Sequence, residues 1–158
     1  MMELESTWNR HHDGRRGFSL EWPADWQVQR GMSGLLLSIA PPSDGDGFVP
    51  NLNLVRHVND MRSDLDDLAK RAAREVLRVL TDVTLVDADA TVVAGSPARR
   101  LLFSYRQGIY GLTSEQWLFL TPEHVWTITA GSESDDYDAF ADVFSGIVRS
   151  LRLHEHVE

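Results

Sequence analysis

Three stretches of this chain, LLLSIA (Leu35 to Ala40), RRLLF (Arg99 to Phe103) and WLFL (Trp117 to Leu120), are nearly continuous in apolar residues. A strand with one wet face alternates apolar and polar side chains, whereas a continuous run indicates burial on both faces. A sheet built from such strands has to be covered twice. Two other segments have the helical period to cover it. Leu65, Leu68, Ala72, Val76, Val79 and Leu80 form one apolar stripe. Tyr137, Phe140, Phe144, Ile147, Val148 and Leu151 form a second, at i, i+3, i+7, i+10, i+11 and i+14. The pattern predicts an α+β fold, a three-layer α/β/α sandwich around a mainly antiparallel central sheet.

Local signals divide the rest. Phe18, Leu20 and Trp22 alternate with Ser19 and Glu21, which is strand spacing; Pro23 ends the ladder and Trp26 restarts it. That parity assigns Trp22 to the core with Phe18 and Leu20. Ser63 followed by Asp66 has the form of a capping box for the first helix, which should end near Leu80. Ser132 or Ser134 is the expected cap of the second. Between Val83 and Gly131, strand-like runs separated by tight turns predict an antiparallel meander. Residues 1–17 are polar and aperiodic and read as a flexible arm that Trp8 can pin to the body. The single domain is expected over residues 18–153, with a frayed end at residues 154–158.

The 158-residue length suits one domain with a sizeable core, and the charge narrows its partners. A net charge of −9 disfavours nucleic acid and anionic lipid. The absence of cysteine excludes disulfides, thiolate metal sites and a cysteine nucleophile. No secretory apolar run occurs in residues 1–17 and no run of 18 apolar residues occurs anywhere, so the expectation is a cytoplasmic protein without a stable membrane anchor.

FSLEWPADW, PNLNL, AGSPA and YDAFADVFSGIVRSL occur in this order along the chain. In this they resemble the PsbP-like superfamily, which includes Ran-binding, DcrB-like and LpqN-type branches, and the resemblance implies a buried Trp26. FSLEWPADW (Phe18 to Trp26) is similar to the family's aromatic-Pro-x-x-Trp opening, and PNLNL (Pro50 to Leu54) to its Pro-Asn strand. AGSPA (Ala94 to Ala98) resembles the turn before its central strands, and YDAFADVFSGIVRSL (Tyr137 to Leu151) its last helix. The resemblance implies the same sandwich. The common ground among members is non-enzymatic protein binding, and the features fit a cytoplasmic member of actinobacterial style.

Candidate chemistry is sparse. His11, His12, His154 and His156 lie towards the two ends, and His57 and His124 lack further ligands at metal-binding spacing, so no metal and no cofactor are expected. DGDG (Asp44 to Gly47) begins like a calcium loop, but Phe48 and Val55 stand where oxygen ligands are needed. GMSGL lacks the final glycine of a nucleophile elbow, and Ser96 has no general base near it in sequence. The acidic clusters Asp64-Asp66-Asp67 and Asp135-Asp136-Asp138 sit at helix starts, where the macrodipole favours them. What remains is surface recognition. Tyr105, Tyr110, Trp117 and Trp126 on the meander are the candidate binding residues, lining a groove for another protein or a peptide segment. The expected function is a non-enzymatic adaptor or chaperone-like domain. The alternative is a binder of a small apolar or lipid-like ligand in an aromatic-lined pocket.

Overall fold

In the computed structural model, which describes residues 7–29, 35–43, 45 and 47–154, strands β1 (Trp8–Asp13), β2 (Phe18–Pro23), β3 (Gln27–Gln29), β4 (Leu35–Ala40) and β5 (Asn51–Val58) come first. Helix α1 (Leu65–Val79) follows, then β6 (Thr81–Val93), β7 (Ser96–Gln107), β8 (Tyr110–Leu120) and β9 (His124–Glu133). A 3-10 turn over Ser134–Asp136 leads into helix α2 (Tyr137–Ser150), and β10 (Arg152–Leu153) closes the series.

The main sheet has the order β3-β4-β5-β9-β8-β7-β6 with every pair antiparallel, and β6 to β9 are the predicted meander. Its hairpins follow from their turn residues. Ala94 and Gly95 both adopt positive φ, +52° and +77°, as a type I′ turn requires. Gly108, at φ +61°, occupies the position that a type II′ turn reserves for glycine.

The apolar run of β8 is buried on both faces, whereas in the run of β4 the buried Leu36, Leu37 and Ile39 all join the α2-side core, because α1 packs on β6, β7 and β8. In β8, Trp117 and Phe119 face the α2 side and pack with Phe144, Ile147 and Val148. Leu118, between them, faces α1 and packs with Val76, Leu101 and Phe103. α1 is capped by Asp64, whose side chain accepts the Asp67 amide. The cap is thus one residue beyond the expected Ser63, whose backbone is tied to the Asn59 side chain and whose hydroxyl accepts from Arg71. α2 has no side-chain cap; Ser132 is buried and Ser134 bonds the Thr113 hydroxyl at 2.8 Å.

One element of the architecture is additional to the predicted sandwich. A second sheet, β1-β2-β10, shares the layer occupied by α2. Trp8 to Asp13, expected within a flexible arm, form β1 along the whole of β2. Trp8 lies against α2, where its indole is 3.0 Å from the position a Cβ on Gly146 would take. A glycine inside a helix costs about 1 kcal/mol of propensity; here it admits an indole. His154, assigned to the frayed end, donates its amide to the Gly17 carbonyl at 2.7 Å. Residues 1–6 and 155–158, Asp44, Asp46 and the GMSG segment lie outside the described residues.

Trp22 and Trp26 are both core residues, the first as its parity predicted and the second as the family resemblance implied. Trp26 meets Phe140 and Phe144 edge-on at 6.4 and 6.2 Å. Truncating it to alanine should cost about 3–5 kcal/mol in urea unfolding; a loss below about 1 kcal/mol contradicts a core role. Gly146→Leu should expel the Trp8 indole, so that amide exchange rises in residues 8–13 while the β7–β8 ladder stays protected.

Candidate functional site

The four aromatics predicted to line one groove are placed apart. Trp117 and Trp126 are 5% and 3% exposed and belong to the core on the α2 side. Trp126 stacks on Phe119 at 5.7 Å and donates its indole N–H to Thr121 at 3.0 Å. Tyr105 is half-buried on the opposite face beside Phe103, with ring centroids 5.9 Å apart. Tyr110 packs near Phe48 at 6.4 Å, at the start of β8. The expected aromatic groove is therefore not assembled. The physical reason is strand parity and register. Trp117 and Trp126 fall on the covered face, while Tyr105 points to the other.

An apolar groove lies elsewhere, beside α1. It has a volume of about 490 Å³ and is floored by Leu118 and Val125. Leu68 and Ala72 of α1 form one wall, and Val58 and Met61 form the opposite rim. Val58 and Met61 are 62% and 76% exposed, unusual for a valine and a methionine next to a core. The rim is held in place by hydrogen bonds. Asn59 donates its amide to the Glu123 carbonyl at 2.9 Å, and its carbonyl accepts from Arg62 at 3.2 Å. Its side chain bonds the Ser63 amide and carbonyl, both at 3.1 Å. Met61 is thus displayed on a braced turn. Its sulfur lies 3.6 Å from the Arg71 guanidinium.

A buried polar network joins the sheet to α2. Glu115, 4% exposed, accepts hydrogen bonds from Arg100 at 2.6 Å and from the Tyr137 hydroxyl. Arg100 also reaches Asp87 and Asp89 at 3.7 and 3.6 Å. Burial pushes the Glu115 carboxyl above the usual range, and the bond and charge of Arg100 recover part of the shift. Such a group tethers the first turn of α2 to the sheet.

No group of three or more metal-ligating side chains occurs among the described residues, and no described helix is long and apolar enough to cross a membrane. No family model matches the sequence, and no curated protein does. Solved structures do. LpqN of Mycobacterium tuberculosis, described as involved in cell envelope biogenesis, superposes with a TM-score of 0.73 at 20% identity, over 94% of this chain and 91% of its own. The cyanobacterial PsbP of Synechocystis gives 0.68 at 13% identity, over 95% and 94% of the two chains. The Saccharomyces cerevisiae Ran-binding protein Mog1p gives 0.66 at 10% identity, over 94% and 96%. The chain has the PsbP-like fold.

Within that PsbP-like frame, the groove residues carried no signal in sequence. Val58 is the last residue of a strand and Met61 lies in a polar connection. Only the pairing of β5 with β9 brings them to Val125.

The network makes a pH-resolved prediction. Between the ordinary and the raised ionisation range of Glu115, the folded chain keeps a proton that the unfolded chain has lost, so stability falls as pH rises through that window. Arg100→Met leaves the buried carboxylate without its cation and widens the window. The variant should lose about 3 kcal/mol at pH 7 and clearly less at pH 4 in urea titrations. An equal loss at both would contradict the account.

Proposed function

We propose that this protein is a non-enzymatic adaptor or chaperone-like domain that receives an apolar segment of a partner protein in the groove beside α1. The observation that carries the reading is Met61, a flexible apolar side chain exposed at the rim and held there by the Asn59 bonds. Methionines at such surfaces adapt to differently shaped apolar partners. Mog1p, a Ran-binding protein of the same fold, is an instance of this architecture presenting a protein-docking surface. The net charge of −9 favours a neutral or basic partner. The proposal takes the protein to be a cytoplasmic member of the PsbP-like group; a cysteine-free chain folds equally well in a reducing compartment.

The alternative, a binder of a small apolar ligand, has one observation in its favour. A cleft of about 400 Å³ between α1 and the β6–β7 hairpin has four alanines and Leu101 in its lining, beside five charged side chains that include the Asp66–Arg99 pair. It lacks the aromatic lining that this reading called for.

Incorporating a photo-crosslinking residue at position 61 should capture a defined partner in the native host. The same residue at position 109, exposed on the β7–β8 turn, should not. Leu68→Asp in the groove wall should abolish the product. Identical products from positions 61 and 109, or none from either, would overturn the proposal.

A further inference from the structure

Under the β1–β2 turn, where β5 and β9 run out, a second cleft of about 260 Å³ is lined by Arg16, Arg56, Thr121, His124, Trp126 and His154. In a chain of net charge −9, this concentrates basic side chains on one small concavity. The turn that builds it is set by Asp13. That carboxylate accepts both the amide of Arg16 at 2.9 Å and its guanidinium at 3.2 Å, and Gly17 completes the reversal at φ +77°. Burial works against ionising Asp13, but the two bonds from Arg16 outweigh it and hold the carboxyl below its usual range.

Arg56 sits opposite. Its guanidinium carbon lies 5.3 Å from the Trp126 ring centroid, and it donates to the Arg16 carbonyl at 3.0 Å. It takes part in none of the salt bridges among the described residues; Asp13, the acid beside it, is bonded to Arg16. Glu123 also lines the cleft and forms none of those bridges. Asp13 is bonded to Arg16, and Arg56 forms no salt bridge with either Asp13 or Glu123. Partial burial and the charge of Arg16 both disfavour the cation on Arg56, which an incoming anion would relieve. His154 is positioned beside them by its amide bond to Gly17 and by a 3.0 Å contact between its Nε2 and the Ser19 hydroxyl.

We propose that this cleft binds a small oxyanion, a phosphate or carboxylate group, through the Arg56 guanidinium with Arg16 and His154 beside it. With its guanidinium over the Trp126 ring and one N–H bonded to the Arg16 carbonyl, Arg56 keeps further N–H groups for a ligand, and a guanidinium fork matches two oxygens of one anion. Cleft size limits the ligand to a phosphomonoester or a small organic acid. The site is separate from the apolar groove and stands or falls independently of it.

The test is a titration at pH 7 that follows the Trp126 indole N–H resonance, with inorganic phosphate and acetate as probes and sodium chloride at matched ionic strength as reference. The expected result is a saturable shift with one oxyanion and none with chloride. Saturation by phosphate identifies a phosphate site, and saturation by acetate a carboxylate site. Arg56→Gln should weaken binding at least tenfold while the melting curve is kept. Arg16→Gln, which leaves the Trp126 stack intact, should weaken it to a smaller extent. A linear shift, a shift reproduced by chloride, or equal affinity in wild type and both variants would overturn the assignment.

Discussion

Leu118 packs under α1 while its neighbours Trp117 and Phe119 pack under α2, and the other layers are arranged around this strand that is dry on both faces. Burying each large apolar side chain contributes roughly 1.5–3 kcal/mol, so both layers are bound to the sheet through adjacent positions of β8. The constraint also fixes register. A slip of one residue would exchange Leu118 with an aromatic partner and ruin both interfaces at once. It explains why the buried carboxylate of this strand is so firmly engaged. Glu115 lies on the α2 side, two residues before Trp117, and only Arg100 and Tyr137 make its burial tolerable.

Covering the two faces unequally creates the surface available for recognition. The α2 face is shared by a helix and a three-stranded sheet, whereas among the described elements α1 serves the other. Its 15 residues span about 22 Å. Seven strands spaced about 4.8 Å apart extend roughly 29 Å from first to last. α1 packs on β6, β7 and β8, and beyond it the same face of β5 and β9 turns polar, with Asn51, Asn53, Thr127 and Thr129. The apolar groove lies on this boundary. It follows from a helix that packs on three strands of a seven-stranded sheet.

The fold was legible where the information was local. Period-2 and period-3.6 patterns, together with the Gly95 and Gly108 turns, gave the meander and both helices. The first helix cap was displaced by one residue because Ser63 and Asp64 are both good capping types, and the backbone of Ser63 is bonded to Asn59 instead. The small sheet was not legible. β1 is polar because one of its faces is wet, and the groove that receives Trp8 is marked only by Gly146, a glycine that reads as a weakness in its helix. The four candidate binding residues are placed apart for a related reason. An aromatic on a strand has two possible faces, and which of them is covered depends on elements far away in the chain. Val58, Met61, Arg16 and Arg56 acquire their meaning only from contacts across the sheet.

The small sheet has a consequence for how the protein is made. β2 is flanked by β1, its hairpin neighbour, and by β10; His154 bonds Ser19 across a separation of 135 residues. During synthesis the first hairpin leaves the ribosome with one edge open, and its partner strand emerges only after the whole of α2. Pairings so distant in sequence form late, because the loop must close before the contact repays it. Until then Phe18, Leu20 and Trp22 lack the helix they pack against, and the amino-terminal hairpin is the part of the nascent chain most in need of shielding.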